Sequence, residues 1–301
     1  MHNLKKNFDR VLPIVQELLI NDLDKVGNIP KPGPKPKFSD VEVITLSLVS
    51  DSLLIDSEHY LFKKLHSEYT SDFPNLIERS VYNKRRRFLT PLMNKVREML
   101  VHQLVPFEDT FVIDSMPIEI CKFARAKRLK ICKEDEYTAP SYGYCAAQNQ
   151  TYYGYKLHGV CTLEGVVTDF DLSKANVADI HYLGDIRDRY HSCTLLGDKA
   201  YLSNELQTEL FETNRMILNS PMRANQKQFR KQPAVFRKVR KRIETIFSQL
   251  CDQFMIRRNY AKTFHGLASR ILSKITAFTL LQYINKFISG RPLNHVKHAL
   301  I

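Results

Sequence analysis

Near residue 110 the apolar residues change from helical to extended spacing, and this switch constrains the fold more than any other feature of the chain. Before it, Phe8, Val11, Leu12, Val15, Leu18 and Leu19 recur at helical period, with Pro13 kinking that helix or marking its start. The connector Ile29-Pro30-Lys31-Pro32-Gly33-Pro34-Lys35-Pro36 cannot be helix interior. Ser39 with Glu42 three residues on predicts a capping box opening a second helix, and residues 58–69 read as another. Residues 80–89 form a short helix carrying Lys84, Arg85, Arg86 and Arg87 in succession. Such a face enters a major groove or rests on phosphates, as in helix-turn-helix modules, or is simply a solvated cationic surface.

Beyond the switch, Thr110-Phe111-Val112-Ile113-Asp114 reads as a buried strand ending in a carboxylate. Residues 152–162 alternate and are rich in aromatics, a second strand, and Gly165 turns into a third over 166–172. Asp179 is placed to cap a helix running to about residue 190. Residues 193–197 form a short apolar strand that again ends in a carboxylate, Asp198. A helix over 204–213 and a strand at 216–219 follow. Residues 236–254 hold a helix with one apolar face, and a largely buried helix covers about 264–288. The order β-β-β-α-β-α-β-α predicts one mixed α/β sheet flanked by helices, preceded by an all-helical N-terminal domain. The expected division is a helical domain at 1–105, helix-turn-helix-like and DNA-binding, and a mixed α/β domain at 106–301, with residues 121–150 as a loop insertion.

The charge is asymmetric. Residues 201–301 hold 18 Lys and Arg against 5 Asp and Glu, and from Arg223 through Arg242 there are nine basic residues and no acid. A field of one sign on that scale attracts a polyanion. The six cysteines show no pairing or zinc-ligand spacing and read as reduced thiols. No apolar run is long enough for a membrane span and no leader-like segment opens the chain, so a cytoplasmic protein without membrane partners is expected.

Asp114 and Asp198 each stop a very apolar strand, an unfavourable position for a carboxylate without a partner or a cation. Alone, either is equally a turn or cap residue. If their strands are neighbours, the two carboxylates converge, and a divalent metal resolves their repulsion. Glu244 is the only acid between Glu212 and Asp252, and its neighbour Ile243 belongs to the apolar helix face. With Arg240 four residues earlier it also reads as an ordinary helical ion pair.

Four segments carry a resemblance: Phe111-Val112-Ile113-Asp114-Ser115; Tyr153-Gly154-Tyr155-Lys156-Leu157-His158-Gly159; Leu196-Gly197-Asp198-Lys199-Ala200-Tyr201; and Arg240-Lys241-Arg242-Ile243-Glu244-Thr245-Ile246-Phe247. In this order they resemble bacterial insertion-sequence transposases of the DDE type, nearest to the insertion-sequence family numbered 982. The resemblance covers nearly the whole chain. It implies an RNase H-like fold in which Asp114 comes from the first strand, Asp198 from the fourth and Glu244 from the helix after the fifth. It further implies two Mg²⁺ or Mn²⁺ ions held by these three acids, and cleavage and strand transfer of double-stranded DNA at one centre. The DNA comprises the element's terminal inverted repeats and the target, and a homo-oligomer on DNA is expected. The DNA contacts expected are Lys84, Arg85, Arg86, Arg87, Lys156, His158, Lys199, Arg237, Arg240 and Lys241, with packing an equal reading for His158. Related families often carry Tyr and Lys where this chain has Arg237 and Cys251, so the family's Tyr and Lys contribution to DNA-end binding is not carried over to these positions. A transposase derivative that binds without cutting, and a metal-dependent nuclease without strand transfer, are the competing readings.

Overall fold

The computed structural model describes residues 3–222 and 233–300, apart from the side chains of Ala147 and Arg237. The chain divides into two compact units. One comprises residues 1–104, 250–261 and 265–301, and the other residues 105–249 and 262–264. The helix expected over 264–288 therefore contributes most of its length to the helical unit, and the span 106–301 draws on both units.

In the helical unit, α1 (Leu4–Leu18) runs through Pro13 without ending, and Asn3 caps it through the Lys6 N–H. Helix α2 (Asp40–Ser52) has the predicted capping box: the Ser39 N–H donates to Glu42 Oε2 at 2.6 Å while the Ser39 hydroxyl accepts from the Glu42 N–H. Helices α3 (Glu58–Glu68), α4 (Arg79–Phe88) and α5 (Thr90–Leu104) complete the N-terminal set. Helix α9 (Phe264–Tyr283) is buried along most of its length, as its apolar composition predicts. Its Ser273 donates to Asp51 of α2 at 2.5 Å, which pairs these two buried polar groups.

The second unit is built on a sheet of six strands among the described residues: β1 (Thr110–Cys121), β2 (Ser141–Cys145), β3 (Gln150–Thr162), β4 (Val167–Lys174), β5 (Thr194–Leu196) and β6 (Ile217–Asn219). β3 pairs antiparallel with β1 along one edge, and with β2 and then β4 along the other. β1, β5 and β6 are mutually parallel neighbours in that order. One face of this sheet buries Phe111, Ile113, Val160 and Leu195 against Tyr182, Leu183 and Ile186 of α6 (Tyr182–Ile186) and Leu210 of α7 (Asn204–Asn214). Helix α8 (Ala234–Phe254) covers the opposite face with Ile243 and Ile246.

Three expectations are corrected. β1 does not end at Asp114 but continues to Cys121, because its antiparallel ladder with β3 persists. The stretch 121–150 is not only loop: it contains a short 3₁₀ turn, Phe123–Arg128, and the strand β2. The helix expected from Asp179 is reduced to a 3₁₀ turn, Asp179–His181, and the five residues of α6, and the Asp179 side chain does not cap it. With β2 counted, Asp198 follows the fifth strand and Glu244 lies in the helix after the sixth.

Candidate active site

Parallel pairing fixes where the two aspartates stand. The last rung between β1 and β5 joins Val112 to Leu196. Asp114 and Asp198 each lie two residues further along their own chain, so alternation points both toward the face that Val112 and Leu196 share. The opposite, odd-numbered positions Phe111, Ile113 and Leu195 fill the core beneath α6 and α7. β5 ends at Leu196 and the chain turns away, so the aspartates sit where one side of β1 is no longer paired.

Helix α8 lies on the same face. Gly159 stands directly across the β1–β3 ladder from Asp114, and its bare Cα accommodates Phe247 and Ile243 of α8. Ile243 is buried, and its exposed neighbour Glu244 stands at the edge of that apolar stripe, near enough for its charge to act on Asp114.

The electrostatics of Asp114 report the company it keeps. Its pKa is pushed up to about 7, first by burial and then by the negative charges of Asp198 and Glu244. The Ser115 N–H, donated to Asp114 Oδ1 at 2.8 Å, and the nearby Arg240 guanidinium oppose that rise. Asp198 Oδ1 accepts the Ala200 N–H at 2.7 Å and so caps the turn Lys199–Tyr201. Among the described residues no ion pair joins Arg240 to Glu244, contrary to a simple helical pair, and the buried Arg240 Nε has no hydrogen-bond partner.

Two residues that motif reasoning left without a role complete this neighbourhood. Asp179 accepts from the Ser115 hydroxyl at 3.0 Å and from Lys156 Nζ at 2.9 Å. Tyr201 is fully buried, its hydroxyl has no partner, and burial with the charges of Asp179, Asp114 and Asp198 raises its pKa well above the usual phenol range. Tyr201 was visible in sequence within Leu196-Gly197-Asp198-Lys199-Ala200-Tyr201. The link from Asp179 to Ser115 depends on tertiary contact and has no local signature.

The expected DNA contacts are not alike. His158 is 1% exposed, its Nε2 is 2.7 Å from the Ser173 hydroxyl and its ring stacks on Tyr182, so it packs inside the protein. Burial lowers its pKa to about 4, and Lys156 adds to the shift while Asp179 opposes it. Lys156 is engaged with Asp179 and the Val177 carbonyl. Arg85 forms a 2.6 Å ion pair with buried Asp40, and Arg86 a 3.0 Å pair with Glu58. Both are thus tied into the helical unit, whereas Lys84, Arg87, Lys199 and Lys241 are exposed. Residues 223–232 of the basic run and the side chain of Arg237 lie outside the described residues.

The donor chemistry suits a hard divalent cation: oxygen ligands only, with a partly buried carboxylate whose charge is poorly compensated. As arranged, no three His, Cys, Asp or Glu side chains among the described residues are close enough together to hold a metal ion. All six cysteines are free, and no helix among the described residues is long and apolar enough to cross a membrane.

Compared with known protein families, residues 105–280 match the family described as "Transposase DDE domain". No curated protein and no solved structure matches the chain. The match covers more than half of the chain and includes both aspartate strands and α8. N-terminal helices followed by a mixed sheet with flanking helices are consistent with an RNase H-like DDE domain. The chain belongs to the DDE transposase family.

Proposed function

We propose that the protein binds the ends of its own insertion sequence and catalyses metal-dependent DNA strand cleavage and strand transfer, with Asp114, Asp198 and Glu244 as the catalytic acids. The observation that carries this reading is the shared position of Asp114 and Asp198 beyond the last β1–β5 rung, with Glu244 close enough to raise the Asp114 pKa. Asp114, Asp198 and Glu244 would hold Mg²⁺ or Mn²⁺. When bound there, such ions supply Lewis-acid activation of a water or 3′-hydroxyl and stabilise the leaving oxygen of an in-line phosphoryl transfer.

The protein's own groups then have distinct tasks. Arg240 presents an unpaired buried N–H beside Asp114 and is suited to hold a phosphate oxygen at the acids. The Tyr201 hydroxyl, buried and unpaired beside the carboxylates, is a donor available to restrain them. Lys156 and Asp179 brace Ser115, and through it the backbone at Asp114. Exposed Lys199 and Lys241 contact the DNA backbone. Lys84 and Arg87 do the same from α4, in keeping with a DNA-binding role for the N-terminal helices.

The four motifs favour the insertion-sequence family numbered 982 as the branch, and double-stranded element ends, target DNA and a homo-oligomer assembled on DNA as the partners. Incubation with end-bearing duplex and target plasmid tests this. Joined products identify a transposase; nicks without joining identify a nuclease and contradict the strand-transfer part of the proposal.

A further inference from the structure

The insertion between β1 and β3 carries a surface that the catalytic reading does not use. Lys122, Arg125, Lys127, Arg128, Lys130 and Lys133 are all exposed, no acid interrupts them, and none forms an ion pair among the described residues. Beside them the aromatic rings form a row. Phe123 meets Tyr142 with centroids 5.5 Å apart, Tyr142 meets Tyr153 at 4.9 Å, and Lys133 lies over the Tyr153 ring at 5.8 Å. Phe123 and Tyr142 are nonetheless about half exposed, and Tyr144, at 59% exposure, has no ring partner among the described residues.

Leaving apolar rings in water on a short strand has no packing benefit, so the fold does not account for them. Yet the strand β2 that presents Tyr142 and Tyr144 is held firmly. Gly143 approaches so closely that a Cβ there would lie 2.6 Å from the Ala175 carbonyl oxygen, and Ser141 Oγ is 2.9 Å from Asn176 Oδ1. Tyr142 and Tyr144 line an open groove of about 360 Å³, together with Val177 and Lys156. Lys156 links this groove through Asp179 to Ser115, the neighbour of Asp114.

Exposed rings interleaved with unpaired cations match the chemistry of an unpaired polynucleotide: phosphates track the cations and bases stack on the rings. Resting on the DNA-cutting reading above, we propose that Phe123, Tyr142 and Tyr144 with the 122–133 cations form a stacking platform for unpaired nucleotides of the DNA strand beside the acids. Intact duplex cannot use it, because its bases are already stacked.

Fluorescence anisotropy of the full chain with a labelled oligothymidylate, and separately with duplex DNA, tests this. Tyr144→Ala should weaken oligothymidylate binding about fivefold or more while duplex binding is unchanged, and Tyr144→Phe should retain it. Lys127→Glu with Arg128→Glu should flatten the salt dependence by about 0.7 per cation lost, which Tyr144→Ala does not. Equal oligothymidylate binding by wild type and Tyr144→Ala overturns the proposal. So does an equal loss on duplex, or competition by polyglutamate as strong as by oligothymidylate. If duplex is bound and cut under these outcomes, only the platform falls; if wild type binds neither DNA form, the transposase reading falls with it.

Discussion

Phe247 on α8 rests on the bare Cα of Gly159, the residue directly across the ladder from Asp114. A Cβ at residue 159 would come within 3.3 Å of the Phe247 ring. This contact sets how closely the helix bearing Glu244 approaches the strand bearing Asp114. A branched side chain here pushes the helix outward. Gly159→Val is expected to lower stability by about 1–3 kcal/mol through overpacking. It should also reduce cleavage more than DNA binding, and Phe247→Ala in the same chain should restore part of the cleavage. Thermal unfolding and cleavage assays on the single and double variants check this.

Asp114 is a partly buried carboxylate held at a pKa of about 7, mainly by desolvation. A folded pKa above the unfolded value means that stability is present at low pH and declines as pH rises through about 4 to 7. Asp114→Asn removes that burden. In metal-free protein the variant should melt higher than wild type at pH 8, the advantage should shrink as pH falls to 5, and cleavage should be abolished. Scanning calorimetry across this range measures it; a variant less stable than wild type at pH 8 contradicts the assigned environment.

Tyr201 offers a buried hydroxyl without a partner among Asp114, Asp198 and Asp179. Tyr201→Phe keeps the ring that packs beside Gly197 and removes only the donor. The fold should be intact and DNA binding unaltered, while the turnover rate falls about tenfold, the loss of one donor available to the carboxylates in the reacting complex. A lower turnover rate with an unchanged KM supports positioning, whereas a changed melting temperature with normal turnover points to packing alone.

Four successive cations on α4 divide into two roles. Arg85 and Arg86 close ion pairs with Asp40 and Glu58, both largely buried, so Arg85→Ala should cost about 3–5 kcal/mol by stranding Asp40. Exposed Lys84 and Arg87 should be neutral for stability. Their replacement by alanine should weaken duplex binding and reduce its salt dependence. Equal destabilisation by all four substitutions in chemical denaturation would contradict the division.

How much of this was legible follows from range. The period change near residue 110, the capping box of Ser39 and Glu42, and the apolar strands before both aspartates are local patterns, and the structure has them. β1 continues past Asp114 through Pro117 and Glu119, residues that oppose a central strand; this stretch is tolerated because its β5-side edge is open. β2 has no distinct sequence signature because five residues, Ser-Tyr-Gly-Tyr-Cys, are too few to separate from a turn-rich segment. Arg85 and Arg86 looked like a DNA-facing run because their acidic partners lie 45 and 28 residues away. The placing of Asp179 beside Ser115 spans 64 residues and has no local pattern behind it.

The most direct test of the three-acid site is cleavage of supercoiled plasmid carrying the DNA that flanks this gene, with Mg²⁺, Mn²⁺ or EDTA, by wild type and by Glu244→Gln. The site described here predicts metal-dependent cuts at the element ends by wild type, and none by Glu244→Gln, which should still bind those ends. Cutting that persists undiminished in Glu244→Gln would contradict the assignment of Glu244 to the catalytic acids.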